Sequence, residues 1–176
     1  MIEMTAIAVD SLDAIWQLLE SIPDPEIPVV SIRELGILRD VRRNAKGAVE
    51  VVITPTYSGC PAIGQMEDDI RAALHSAEID ASIVTQLAPA WTTDWMTASA
   101  HEKLRAYGIA PPQHLVSVTN VVQFTKAAKL NASPPIPCPL CASSNTTETS
   151  HFASTACKAL YKCLNCLEPF DYFKPY

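Results

Sequence analysis

The sequence predicts an α+β protein: a small sheet with helices packed on it, followed by a separate small β module held by a metal. Three observations predict this. Two strand-like apolar runs flank a turn at Asn44–Gly47, and helical periodicity starts directly after Pro61. A proline-rich stretch, Ala132-Ser-Pro-Pro-Ile-Pro137, separates that pattern from the C-terminal part. Beyond it lie two C-x-x-C pairs with 21 residues between them. At 48% hydrophobic and 18% charged residues, the 176-residue chain has enough apolar material for a core.

The first helix starts at Asp10-Ser11, with Asp13 in its first turn and Leu12, Ile15, Trp16, Leu19 and Ile22 as its buried stripe. Pro23 and Pro25 stop it. The stretch Asp24-Pro-Glu-Ile-Pro28 is a stiff, exposed turn whose acids, Asp24 and Glu26, could hold a metal, bind a partner or cap Ser31–Glu34. Ile37–Arg43 and Ala48–Thr54 read as a β-hairpin.

Thr54-Pro-Thr-Tyr-Ser-Gly-Cys60-Pro61 links the second strand to a helix over Pro61–Ser76, whose Ile63, Met66, Ile70, Ala73 and Leu74 recur at helical spacing. Pro61 suits a first helical turn, which places Cys60 at or beside the N-cap. There the helix dipole and unpaired N–H groups favour a thiolate, so Cys60 is a candidate reactive or metal-binding sulfur. The competing reading is a small buried hydrophobe. Ala81–Leu87 reads as a third strand, giving the order helix, two strands, helix, strand.

Pro89–Met96 is a loop whose Trp91 and Trp95 either line a partner site or cover the core. A helix follows, started by Thr97 or by Ser99, since Ser99-x-x-Glu102 fits a capping box; Gly108 and Pro111-Pro112 end it. Leu115–Phe124 alternates like an added strand, and Thr125–Pro137 is a linker.

Cys138-Pro-Leu-Cys141 and Cys163-Leu-Asn-Cys166 carry the strongest chemical signal. Each pair aims two sulfurs at one ion, and together they complete a tetrahedron with metal–sulfur distances of about 2.3 Å for zinc. An iron–sulfur cluster is the alternative occupant. Glu148–Ala153, Lys158–Lys162 and Phe170–Phe173 can pair around the knuckles, which is the zinc-ribbon plan. Four sulfurs leave no open position, so the site is structural. Cys157 is a packing residue or a substitute ligand. The expected organisation is residues 1–112 as the α+β domain, 113–136 as linker with an added strand, and 137–176 as the ribbon.

Net charge is −6, with 10 Lys and Arg against 16 Asp and Glu in residues 1–130, and 3 against 3 beyond. Neither part offers the basic face nucleic acid requires, and the Arg39, Arg42, Arg43, Lys46 cluster reads as a solvated strand edge. No apolar run reaches the length of a membrane span, and the N-terminus lacks a secretion signal; the expected location is the cytoplasm, where cysteines stay reduced. The chain has neither the paired Glu-x-x-His helix motifs of a di-iron site nor a glycine-rich dinucleotide turn, and His75 and His101 sit on helical patterns as solvated or core residues. These absences weigh against a catalytic role in a di-iron or nicotinamide reaction.

Asp24-Pro-Glu-Ile-Pro, Glu34-Leu-Gly-Ile and Thr54…Gly59-Cys60-Pro61 resemble the small α+β domain of SUF-system T-type iron–sulfur assembly factors. That resemblance implies a functional thiol at Cys60 with Asp24 and Glu26 as its acidic motif, and transient iron or an iron–sulfur cluster as what the thiol contacts. Trp91-Thr-Thr-Asp-Trp-Met, Tyr107-Gly-Ile-Ala-Pro-Pro and Phe152…Glu168-Pro-Phe-Asp-Tyr-Phe173 resemble the D-type accessory family of bacterial phenylacetyl-CoA ring-epoxidase gene sets, over nearly all of residues 10–174. One departure is the stretch 113–132, longer and more strand-like than a simple linker. The resemblance implies one structural zinc per chain and work in aerobic phenylacetate catabolism. It also implies three classes of partner: the epoxidase reductase, the oxygenase subunits and the iron–sulfur assembly machinery, with a homodimer left open. The expected activity is help with cluster or iron assembly, or else a structural or regulatory role in which the ribbon docks on the oxygenase.

Overall fold

The computed structural model describes residues 11–113 and 135–176. The expected helix start at Asp10, the strand over Leu115–Phe124 and most of the linker lie outside the described residues. The chain divides into two units between Tyr107 and Gly108, with Tyr176 grouped with the first.

In the first unit, α1 (Leu12–Leu19) is capped by Ser11, whose hydroxyl accepts the Ala14 N–H at 3.1 Å. Ile15 and Leu19 are fully buried. Trp16 is only half-buried and carries Arg33 over its ring at 5.4 Å. The following turn is closed by an isolated bridge between Pro23 and Ser31, with the Asp24 N–H on the Val30 carbonyl at 2.9 Å. Ser31 and Glu34 form a reciprocal capping box: the Ser31 N–H donates to Glu34 Oε2 at 3.0 Å and the Glu34 N–H donates to Ser31 Oγ at 3.2 Å.

Strand β1 (Leu38–Arg43) pairs antiparallel with β2 (Val49–Ile53). Asn44 shapes the hairpin turn: its Oδ1 accepts N–H bonds from Lys46 and Ala48 while Gly47 takes φ +82°. After β2 comes α2 (Ile63–Ser76), then β3 (Ala81–Thr85), which pairs parallel with β2; β2 is thus the central strand. Val51 and Ile53 of β2 and Met66 and Ile70 of α2 are almost fully buried. The third strand stops at Thr85, short of the expected Leu87, which is exposed, because its partner β2 ends at Ile53, opposite Thr85.

Trp91 covers the core: it is buried and its Nε1–H donates to the Leu35 carbonyl at 2.9 Å. Trp95 is half-buried, and Arg39 sits 3.4 Å above its ring. Helix α3 (Ala98–Tyr107) starts at Thr97, whose Oγ1 accepts the Ala100 N–H. Ser99 is not the cap; its hydroxyl donates instead to Glu34 Oε1 at 2.8 Å, beside Lys103 Nζ at 2.7 Å. Burial alone would raise the pKa of Glu34, but Lys103, the Ser31 N–H and Ser99 together lower it.

The second unit is a four-stranded sheet in the order β4-β7-β6-β5: β4 (Ile109–Ala110), β5 (Thr146–Ser150), β6 (Lys158–Cys163) and β7 (Pro169–Phe173). β6 pairs antiparallel with both neighbours, and β4 joins β7 in parallel. Residues 108–112, expected in the first domain, go with this unit because Ile109 and Ala110 add an edge strand to it. The expected Glu148–Ala153 strand is displaced toward the N-terminus, to Thr146–Ser150. Ala159, Phe170 and Tyr172 pack with Ile136 and the sulfurs of Cys138 and Cys163 into its core.

Candidate functional site

Each unit holds one of the two candidate sites. The first is the loop between β2 and α2. The N-cap of α2 is Ala62, so Cys60 lies two residues upstream of it rather than at it. A turn holds it there: the Cys60 N–H donates to the Tyr57 carbonyl at 3.1 Å and the Cys60 carbonyl accepts from Ile63 at 3.4 Å. The Cys60 thiol is half-buried. Burial raises its pKa above the ordinary cysteine value, the Ala62 N–H opposes this, and the charges of Glu26 and Asp24 raise it further against the Ile63 N–H. The expected thiolate preference is thus reversed, because desolvation and two carboxylates outweigh the helix N–H groups.

The structure brings Asp24 and Glu26 within electrostatic reach of Cys60, each for a different local reason. Asp24 is buried, and its Oδ1 accepts the N–H of Glu26 at 2.9 Å and of Ile27 at 2.7 Å. It caps its own turn rather than Ser31–Glu34, which cap each other. Glu26 is exposed. Among the described residues, these three do not form a group whose ligand atoms converge; the one such group is elsewhere. Thr54 and Thr56, at the base of the same loop, are buried, and Thr54 Oγ1 has no hydrogen-bond partner. Sequence reasoning misses both hydroxyls, although a threonine at a strand end ahead of Pro55 is an available signal. An open cleft in the first unit, lined by Pro23, Pro28, Val30, Arg33, Glu34 and Lys103, does not include Cys60.

The second site is the sulfur quartet. The Sγ atoms of Cys138, Cys141, Cys163 and Cys166 all lie within 4.8 Å of one another. Cys138 and Cys166 are 3.8 Å apart and Cys141 and Cys163 3.6 Å. Sulfurs bound at about 2.3 Å around a tetrahedral zinc are separated by about 3.8 Å, so the quartet fits that ion. The Cys166 N–H at 3.5 Å and the Asn165 N–H at 3.4 Å point at Cys163 Sγ and lower its pKa to about 6. Cys157 stands outside the quartet; it is buried, and its sulfur lies 3.0 Å from Thr155 Oγ1.

Two family models match the chain. Residues 12–84 match the iron–sulfur cluster assembly protein family, and residues 123–174 match the PaaD zinc beta ribbon domain. Over 172 residues the chain is 47% identical to an Escherichia coli K12 protein named as the D-type component of 1,2-phenylacetyl-CoA epoxidase, covering 97% of each. The chain belongs to this D-type epoxidase family. Its first unit is shared more widely: a Porphyromonas gingivalis protein named as an Fe-S protein maturation auxiliary factor is 33% identical over 88 residues, which is 49% of this chain and 83% of that one. A solved structure titled as a domain of unknown function, DUF59, from Bacillus anthracis is 27% identical, covers 52% of this chain and 89% of its own, and superposes with a TM-score of 0.47. In this D-type chain, Asp24, Glu26 and Cys60 all fall inside the iron–sulfur assembly match, and the quartet falls inside the ribbon match. Among the described residues, no helix is long and apolar enough to cross a membrane.

Proposed function

We propose that this chain is a non-catalytic accessory factor of a phenylacetyl-CoA epoxidase system, acting in the cytoplasm in aerobic phenylacetate catabolism. It assists the assembly of iron or of an iron–sulfur cluster in the reductase or oxygenase, receiving the cargo from the iron–sulfur assembly machinery. The single observation that carries this is the placement of Cys60. It is a half-buried thiol on a strand-to-helix loop, with Asp24 and Glu26 charged beside it, inside the region that matches the assembly family.

The electrostatics support a carrier rather than a permanent holder. The two carboxylates attract a metal cation, and the raised pKa keeps the sulfur protonated until the cation competes for it. Cys60 then gives up its proton and ligates the cargo. With no preassembled cage around it among the described residues, the remaining ligands come from the donor or the client, so release is easy. Cys138, Cys141, Cys163 and Cys166 hold one zinc per chain, which supplies folding energy to the ribbon and no open coordination position.

The test is a Cys60→Ser chain co-expressed with the epoxidase reductase. The expected result is a reductase cluster content reduced several-fold, with the zinc content of the variant unchanged. Full cluster content would reject the role of Cys60. A second reading, a structural or regulatory component that docks through its ribbon, is supported by the apolar residues on the knuckle tips.

A further inference from the structure

Arg39 and Trp95 form a pair that the proposed function does not use. In β1, Leu38 faces Ile53 and Asp40 faces Val52, so Arg39 is the extra residue of a β-bulge on an edge strand. A bulge takes its side chain out of the regular alternation and re-aims it. Here the guanidinium lies 3.4 Å above the Trp95 ring. Trp95 is itself held in place. It ends a short 3₁₀ turn capped by Thr92, and its Cβ and carbonyl lie against Gly36, where an added Cβ would stand 2.6 Å from Trp95 Cβ. A guanidinium carries five N–H donors and no acceptor. Arg33, Arg42 and Arg71 each meet a carboxylate. Arg39 meets none among the described residues, and neither its side-chain N–H groups nor the Trp95 indole N–H is spent on an acceptor there. These donors are not sealed: among the described residues, the buried side-chain polar atom without a partner is Thr54 Oγ1. Burial lowers the pKa of Arg39, and no acidic group raises it back.

We propose that the Arg39–Trp95 pair is a carboxylate-binding site, taking one carboxylate from a small molecule or from an acidic residue of another protein. The indole face holds the guanidinium in one plane, and the edge of that plane matches the two oxygens of a carboxylate through parallel N–H bonds. The indole N–H, on the ring under the guanidinium, is a further donor at the same place. Charge selects the ligand. One guanidinium balances one carboxylate, whereas a phosphate dianion needs a second cation. The neighbouring Arg42 does not supply it, being held by Glu50 at 3.3 Å and by Asp40 at 3.8 Å. The chain's net charge of −6 also disfavours polyanions. The site contains neither Cys60 nor the sulfur quartet, so it stands apart from cargo delivery and from zinc.

The test is an NMR titration of the full-length, zinc-loaded, isotope-labelled chain at neutral pH and constant ionic strength, following the Nε–H signal of Arg39 and the Nε1–H signal of Trp95. The probes are acetate, inorganic phosphate, and a blocked tripeptide with a central glutamate beside the same peptide with a central glutamine. The expected result is saturable movement of both signals with acetate and with the glutamate peptide, and none with the glutamine peptide. Arg39→Gln, followed at Trp95, is expected to bind acetate at least tenfold more weakly. Arg39→Lys, which keeps the charge and loses the planar fork, is expected to bind it several-fold more weakly. Cys60→Ser is expected to bind like wild type. The comparison of the two peptides uses the unaltered chain, so it decides the matter even where a variant fails to fold. Tighter binding of the glutamate peptide than of acetate assigns the carboxylate to a protein, and acetate binding as tightly or more tightly assigns it to a small molecule. Saturation by neither carboxylate overturns the proposal, as does equal movement with the glutamine peptide or full acetate binding by a folded Arg39→Gln chain. Phosphate binding at least tenfold more tightly than acetate also overturns it.

Discussion

Cys60 shows how a residue's chemistry depends on more than its position along a helix. Proximity to a helix N-terminus argues for a thiolate, yet half-burial and the facing charges of Glu26 and Asp24 raise the pKa instead. The folded chain therefore favours the neutral thiol. As pH rises past the ordinary cysteine value the unfolded chain ionises first, and this group's contribution to stability is lost. Alkylation by iodoacetamide, followed at the Cys60 peptide in the zinc-loaded protein, is expected to rise with pH along a curve centred above that of free cysteine. Glu26→Gln removes one raising charge and is expected to move the curve down and to speed alkylation at pH 8 several-fold. An unchanged curve would separate Glu26 from the thiol. Asp24 is a poorer probe, because its Oδ1 also holds the N–H groups of Glu26 and Ile27.

At the level of elements, the segment Trp91–Tyr107 is attached to the assembly domain at a few fixed points. Trp91 donates to the Leu35 carbonyl, the Thr97 N–H donates to the Glu34 carbonyl at 2.9 Å, and Glu34 receives Ser99 and Lys103. Gly36 makes the closest approach. It sits at φ +71°, and a Cβ there would stand 2.6 Å from Trp95 Cβ and 2.7 Å from the Trp95 carbonyl oxygen. Neither neighbour is the flexible end of a side chain. Gly36→Ala therefore combines a left-handed backbone cost with a steric one and is expected to destabilise the first unit by about 2–4 kcal/mol. Urea unfolding followed by tryptophan fluorescence measures it, and a loss below about 0.5 kcal/mol would mean that the loop carrying Trp95 yields freely.

For the whole molecule, the two units draw stability from different sources. The first has a core of aliphatic residues from three helices, a sheet and the turn after α1, with Ile15, Leu19, Ile32, Val51, Ile70 and Leu104 almost fully buried. The second has a core of a few residues, two of them cysteines of the sulfur quartet, so its folding is expected to depend on a bound metal. Removing the metal with a chelator at mildly acidic pH is expected to release about one zinc per chain. It should also abolish the ordered NMR signals of β5 to β7 while those of β1 to β3 persist. Retention of the ribbon signals in metal-free protein would show that its apolar residues suffice.

Much of this architecture is local, and local features are readable from sequence. The Ser11 cap, the Asn44–Gly47 turn, the helix after Pro61 and the knuckle spacing each depend on residues within a few positions of one another, and these elements formed close to where their patterns lie. What only the tertiary structure decided involves groups distant in the chain. Ile109 and Ala110 look like a helix ending and become a strand because β7, some sixty residues later, offers an open edge. Ser99 loses its capping role because Glu34 claims its hydroxyl. The acid strength of Cys60 is set first by its burial and then by Glu26 and Asp24, which arrive from a different turn. Periodicity and capping are set by neighbours along the chain, whereas strand partners, desolvation and facing charges are set by what folding brings alongside.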